Sequence, residues 1–232
     1  MKRPGLPFVL LNAAMTADGK LAPATRHFEG FGGLRDHDHL LELRATADAV
    51  MAGARTVDLD RVNMGPGAIK YRRARLRQGL AEYNLRVIVS GSGTINPEAE
   101  IFRHRFSPII ILVSERASKQ KLRRLRELAD EVKICGKQSI DFEEALRWLR
   151  AQWKVKRLVC EGGGEVNGAM FEAGLVDEVH LTLCPLVFGG RAAPTLADGA
   201  GVQKLSQAAR LRLISMRPYE GGLFLVYRRS RS

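Results

Sequence analysis

Short apolar runs recur along the chain, and most are separated by stretches whose apolar residues return at helical spacing. The runs at 8–14, 49–52, 86–89, 108–113, 131–134 and 157–160 predict strands. Helical spacing predicts helices over 34–45, 119–129, 141–152 and 166–173. Across 119–129, Leu122, Leu125 and Leu128 form one face, and Lys119, Lys121, Arg123, Arg124 and Arg126 lie opposite. Strands alternating with helices in this way imply a largely parallel sheet covered on both faces. The last third changes character: 178–183, 209–216 and 223–228 read as strands. The last two are joined by Pro218-Tyr219-Glu220-Gly221-Gly222, a turn-rich hairpin connection. The predicted class is therefore α/β with a mixed sheet and an antiparallel C-terminal edge. The stretch 61–80 is the least regular. Asn63-Met64-Gly65-Pro66-Gly67 predicts a loop and 70–80 a short basic helix, an insertion where substrate selectivity could reside.

Composition narrows the class without naming a function. A chain of 232 residues with 45% hydrophobic content can bury a large core, and it shows no internal repeat or linker, so a single domain over 1–232 is expected. No apolar run reaches the length of a membrane-spanning helix. Lys2 and Arg3 precede an apolar run, as in a signal peptide. Asn12 interrupts that run, however, and Asp18-Gly19-Lys20 follows where a cleavage site would need small residues, so a first strand, a turn and a cytoplasmic protein are expected. Cys135, Cys160 and Cys184 form no Cys-x-x-Cys pair, which predicts free thiols in a reducing compartment, with neither a disulfide frame nor a metal site.

The net charge of +12 favours polyanionic partners: nucleic acid, phosphorylated metabolites or a dinucleotide. A solvated basic face is the plainer reading, above all for 119–129. Arg157-Leu158-Val159-Cys160-Glu161-Gly162-Gly163-Gly164 adds a specific chemistry. An apolar run stops at an acid and consecutive glycines, and a helix begins. Such a turn lets backbone approach a ligand closely, and the free N–H groups of the helix start suit an anion such as a nucleotide pyrophosphate. A tight connection without a ligand would look the same.

Several segments taken together resemble one family. Asn12-Ala13-Ala14-Met15-Thr16-Ala17-Asp18-Gly19-Lys20 is the first, and Asp48-Ala49-Val50-Met51-Ala52-Gly53-Ala54-Arg55-Thr56-Val57 with Asp60 is the second. The third is Glu161-Gly162-Gly163-Gly164, followed by Gly174-Leu175-Val176-Asp177-Glu178. Cys184-Pro185-Leu186-Val187-Phe188-Gly189-Gly190 and Ala193-Pro194-Thr195 complete the pattern. In this order they resemble the pyrimidine reductases of riboflavin biosynthesis. That family includes the reductase half of the bifunctional deaminase/reductase and the stand-alone diaminopyrimidinone phosphate reductases. The resemblance spans almost the whole chain. It implies a dihydrofolate-reductase-like fold: a mixed, mostly parallel sheet flanked by helices, with an antiparallel C-terminal edge hairpin. It implies an oxidoreductase that uses NADPH to reduce the ribosylamino side chain of a phosphorylated pyrimidine to ribitylamino, and a homodimer. The zinc motifs of the deaminase half, His-x-Glu and Pro-Cys-x-x-Cys, do not occur, so the resemblance is to the reductase alone.

Residue by residue, the resemblance puts Thr56 and Asp60 at the cofactor, where a hydroxyl and a carboxylate can orient a nicotinamide; Thr56 could instead cap a short turn. Gly162, Gly163, Gly164 and Glu165 would cradle the pyrophosphate. Ser90, Gly91 and Ser92 fall at the next cofactor loop, and Met15 matches a backbone contact, while its side chain reads as core. Ser114 and Arg116 are candidates for the 2′-phosphate by position alone, and a surface turn is the plainer reading. Asn12, Lys20 and Arg44 match substrate positions, with a solvated turn as the alternative for Lys20 and a bridge to Asp48 for Arg44. Glu161 matches a substrate glutamate, and as the catalytic candidate it could stabilise positive charge at an iminium carbon awaiting hydride. The chain departs from the family after Asp60, where Arg61-Val62-Asn63-Met64-Gly65-Pro66-Gly67 replaces the usual Asp-Pro-x-Leu-Thr and substrate arginine, and Arg26-His27-Phe28 lacks the Ser-x-Trp pattern. The alternatives are a reductase of another, pterin-like heterocycle and a non-catalytic nucleic-acid binder. The second is disfavoured because aromatic residues are not interleaved with the basic runs.

Overall fold

The computed structural model describes residues 3–26, 30–59 and 62–230. Among these the strands are β1 (Phe8–Thr16), β2 (Ala49–Gly53), β3 (Leu85–Val89), β4 (Ile109–Val113), β5 (Glu131–Ile134), β6 (Arg157–Gly162), β7 (Glu178–Cys184), β8 (Leu211–Tyr219) and β9 (Gly222–Arg229). The helices are α1 (Gly33–Arg44), α2 (Ala54–Val57), α3 (Ile69–Arg77), α4 (Glu100–Arg103), α5 (Lys119–Leu128), α6 (Phe142–Gln152) and α7 (Gly164–Glu172). The strands form one mixed, nine-stranded sheet in the order β5-β4-β3-β2-β6-β1-β7-β9-β8. The chain divides into two compact units, residues 1–8 with 41–159 and residues 9–40 with 160–232.

In the first unit β2, β3, β4 and β5 are parallel, with Ala49 beside Leu85, Arg86 beside Ile109 and Ile110 beside Glu131. Every residue of β2, β3 and β4 is buried, which is why these strands read as continuous apolar runs instead of alternating ones. Val50, Ile88, Ile109, Ile111 and Val113 pack with Leu125 of α5 and Val57 of α2. Helices α5 and α6 start where a side chain satisfies a free N–H group: Ser118 accepts from Lys121 N and Asp141 from Glu144 N.

In the second unit β1 runs parallel to β7, β7 antiparallel to β9, and β9 antiparallel to β8. The hairpin is tighter than the sequence predicts. Pro218 and Tyr219 belong to β8, and the turn is Glu220-Gly221, at φ 40° and 82°. Both turn residues are left-handed, as a two-residue hairpin turn requires. Pro218 is tolerated inside a strand because β8 has one neighbour only, so its missing donor breaks no ladder. The short helices α2 and α4 are additions to the predicted set, and α3 ends at Arg77 instead of Leu80.

Candidate active site

The first unit contributes loops at the ends of its parallel strands. Thr56 lies on α2, immediately after β2, and is half-buried; Asp60 lies outside the described residues. After β3, the buried Ser90 donates its hydroxyl to Thr94 O at 2.8 Å, and its carbonyl accepts from Gly93 N. Ser114 donates to Gly91 O at 2.7 Å from a fully buried position, so this hydroxyl braces the loop and is not presented to a 2′-phosphate. Arg116 remains exposed. Lys121, assigned by periodicity to the solvated face of α5, turns back instead. Its ammonium donates to Thr94 Oγ1 at 2.7 Å and Ser92 O at 3.2 Å, which places a positive charge on the Ser90–Ser92 loop.

The insertion is organised from beneath. Met64 adopts φ 57°, a region that methionine rarely enters. Asn84 Nδ2 donates to Met64 O at 2.9 Å and Arg44 Nη1 to Gly65 O at 2.7 Å, clamping consecutive carbonyls around the strained residue. Arg44, read as a substrate residue, is buried and spends this nitrogen on the loop; the Asp48 carboxylate binds the N–H groups of Lys156 and Arg157. Arg86 donates to Ile101 O at 3.1 Å and Ser107 O at 2.6 Å beneath the Phe106 ring, and burial lowers its pKa to about 10. Arg75 is held by the carbonyls of Arg44, Ala47 and Ala81, and burial lowers its pKa too. Arg72 pairs with Glu82 and Tyr83. Of the basic run on α3, Arg73 and Arg77 are left at the surface.

In the second unit the first, third and fourth motifs meet. The Asp18 carboxylate accepts from Thr16 Oγ1 at 2.6 Å, from Gly189 N at 2.8 Å and from Phe188 N at 3.2 Å. These bonds, the Thr16 hydroxyl foremost, lower its pKa. Lys20 pairs with Thr195 through backbone. Gly162 and Gly163 are left-handed, at φ 69° and 80°, and α7 begins with no side-chain cap. A Cβ on Gly162 would strike the Asn167 amide, and one on Gly164 the Asp198 carboxylate. Asp198 also accepts from Thr195 N and Oγ1, so these two glycines are demanded by protein packing behind the turn. Asn167 and Asp198 carry no motif signal in the sequence. Glu161 is half-buried at the end of β6, and Glu165 is exposed in the first turn of α7. Met15 is half-buried on β1, and Asn12 is buried with Oδ1 lacking a hydrogen-bond partner among the described residues.

The same unit carries a polar network that sequence patterning did not single out. His39 Nε2 lies 3.1 Å from His180 Nδ1, and His180 Nε2 lies 3.0 Å from Glu178 Oε1. Arg228 donates to Glu178 Oε2 at 2.7 Å. Hydrogen bonding from His180, then from Arg228, holds the Glu178 carboxyl at about 2 despite burial. On α1, Asp36 Oδ1 accepts from Thr182 Oγ1 at 2.5 Å, and burial raises the Asp36 pKa. The three cysteines are free and buried, and burial pushes the thiols of Cys135 and Cys160 up to about 12. No helix among the described residues is long and apolar enough to cross a membrane.

A mixed sheet of this order, a glycine turn at an uncapped helix and a buried amide with an open acceptor make up a candidate small-molecule site on an α/β frame. Residues 7–225 match the RibD C-terminal domain family, and the chain belongs to it. It is 36% identical to the 2,5-diamino-6-ribosylamino-4(3H)-pyrimidinone 5′-phosphate reductase of Methanothermobacter thermautotrophicus, over 89% of this chain and 91% of that one. Identity to the reductase of the same name from Aquifex aeolicus is 29%, over 90% of each chain. Among solved structures, a pyrimidine reductase-like protein from Corynebacterium diphtheriae shares the fold, with a TM-score of 0.80 at 22% identity, over 97% of this chain and 93% of that one.

Proposed function

We propose that this chain is a pyrimidine 5′-phosphate reductase of riboflavin biosynthesis, acting on 2,5-diamino-6-ribosylamino-4(3H)-pyrimidinone 5′-phosphate with NADPH. The observation that carries the reading is near end-to-end similarity to a reductase of that name at 36% identity. The left-handed Gly162 and Gly163 before an uncapped α7 suit a nucleotide pyrophosphate, which the helix's N–H groups and dipole favour. Glu165 would flank that cradle, Ser90, Gly91 and Ser92 would meet the adenosine end beside Lys121, and Thr56 and Asp60 the nicotinamide side, with Met15 touching through backbone. NADPH supplies a hydride when bound. The protein's part is alignment and charge. Asn12 Oδ1 accepts a donor from the pyrimidine, Lys20 faces the phosphorylated substrate, Arg44 acts through the loop that it holds at Gly65, and Glu161 stabilises positive charge at the sugar carbon that receives hydride. Reduction also consumes one proton, which ends on the substrate.

Incubating the protein with the ribosylamino pyrimidine phosphate and NADPH tests the reading. Loss of nicotinamide absorbance together with a ribitylamino product is expected, and no turnover at any enzyme level rejects it. A second copy of the chain is the expected partner, met along the open edge strand β8, where Leu213, Ile214 and Met216 are exposed.

A further inference from the structure

One face of the sheet in the second unit carries more polar chemistry than these roles use. In the strand register Asn12 stands beside His180, and Ala14 beside Thr182, which in turn stands beside Phe224. Alternate strand residues share a face, so Asn12, Ala14, His180 and Thr182 line one surface. Helix α1 meets that same surface, because Asp36 reaches Thr182 and His39 reaches His180.

Asp36 lies in the first turn of α1, where an acid suits the helix dipole, and one of its two oxygens is held by the sheet. Oδ1 is fixed by the Thr182 hydroxyl at 2.5 Å, and Thr182 is fully buried, so the carboxyl cannot swing away freely. Oδ2 lies over Gly32, where any Cβ would strike it, and receives no protein hydrogen bond among the described residues. On the same surface, Asn12 Oδ1 is buried without a donor. Ala14 is a bare methyl that is only half-buried, which keeps the floor beside Thr182 low. Two acceptor oxygens that have no donor among the described residues, one of them a buried acceptor whose desolvation is uncompensated there, select a ligand edge made of N–H groups.

A 2-aminopyrimidinone has such an edge: the exocyclic amine at C2 and the adjoining ring N–H point the same way. Its deaminated counterpart puts a carbonyl oxygen at C2, and an acceptor would then face the carboxylate. We propose that Asp36, positioned by Thr182, is the specificity-determining residue that reads the 2-amino edge and makes this chain prefer the diaminopyrimidinone over the 2-oxo pyrimidine. This assignment rests on the pyrimidine-reductase reading given above. Thr182 is a positioning residue; it acts through Asp36.

The experiment compares wild type, Asp36→Asn and Thr182→Val on both pyrimidine phosphates with NADPH. Affinities of the two ribitylamino products, measured by calorimetry without nucleotide, give a second readout. Asp36→Asn keeps the shape and replaces an acceptor with a donor. It should lower the 2-amino over 2-oxo ratio of kcat/KM by about 100-fold or more, because a site built for a hydrogen bond rejects the mismatched analogue strongly. Product affinity should fall for the 2-amino compound alone. Thr182→Val should move the same ratio less far in the same direction, and it carries the test should Asp36→Asn fail to fold. A folded Asp36→Asn with an unchanged ratio overturns the proposal, as does a wild type that reduces both pyrimidines equally well. A wild type that reduces neither rejects the pyrimidine-reductase reading, and this proposal falls with it.

Discussion

Gly168 and Glu178 show how single positions in the second unit are constrained from opposite directions. Gly168 sits within α7, where glycine is ordinarily unfavourable, yet any Cβ there would overlap the carbonyl oxygen of Asp198. Asp198 N donates to Gly164 O at 2.8 Å, and its carboxylate holds Thr195, so the collision reaches the glycine turn itself. Gly168→Ala should destabilise the fold by about 1–3 kcal/mol, the usual cost of overpacking. On the proposed reading it should also weaken NADPH binding, by shifting the glycine turn that Asp198 supports. Thermal melting and nucleotide titration check both effects, and an unchanged nucleotide affinity would detach Asp198 from the cradle.

Glu178 is constrained by charge. Its carboxyl, ordinarily at 4.5, is held at about 2 by the His180 hydrogen bond and by Arg228, with His39 behind His180. A depressed carboxyl stabilises the fold through its ionised form. That contribution is complete above about pH 4.5 and is lost as pH falls toward 2. Urea unfolding at neutral pH and at pH values inside that window should therefore show wild type losing about 1–3 kcal/mol more than Glu178→Gln on acidification. Parallel pH profiles would mean that the network does not stabilise the ionised carboxyl.

At the scale of elements, the insertion after Asp60 is a loop shaped by side chains that approach it from elsewhere in the first unit. Asn84 is fully buried and donates to both Met64 O and Leu85 O. Asn84→Ala removes both bonds and leaves Met64 in a left-handed conformation without its clamp. A loss of about 1–3 kcal/mol is expected, together with a raised KM for substrate should the loop border the site, read by denaturant midpoint and steady-state kinetics. Much at this scale was legible in the sequence. The strands β2, β3 and β4 are continuous apolar runs, and α5 and α6 carry both a stripe and a capping residue. Helices α2 and α4 were not legible, because four residues are too few to display a period. The buried role of Arg86 was invisible for a different reason: it sits in a strand of otherwise apolar residues, and its partners, Ile101 O and Ser107 O, are backbone atoms with no sequence signature. The candidate site divides the same way. Glycines and family motifs mark Gly162, Gly163, Gly164 and Thr56, whereas Asp36 and Thr182 acquire meaning only through the register that brings α1 onto β7.

At the scale of the whole molecule, the open question is what covers β8. It is an edge strand with a neighbour on one side only, and Leu213, Ile214 and Met216 are 47%, 43% and 58% exposed. A long apolar edge is an invitation to pair with another strand, and soluble proteins normally blunt it with charge, proline or a cover. Here Pro218 guards only the turn end, and Arg212 and Arg217 flank an apolar middle. The bulge between Leu213 and Ser215 twists the strand and leaves side chains accessible on both faces. A two-fold axis would pair β8 with its own copy in antiparallel sense and bury those side chains against themselves. The purified chain should therefore run as a dimer in light scattering at micromolar concentration. Leu213→Lys combined with Met216→Lys places like charges at the centre of that contact and should raise the dimer dissociation constant by about 100-fold or more, equivalent to about 3 kcal/mol. Because both residues lie on an exposed strand, the variant monomer should keep its secondary structure, which circular dichroism checks. A wild type that is already monomeric, or a variant that remains dimeric, would move the partner surface away from β8.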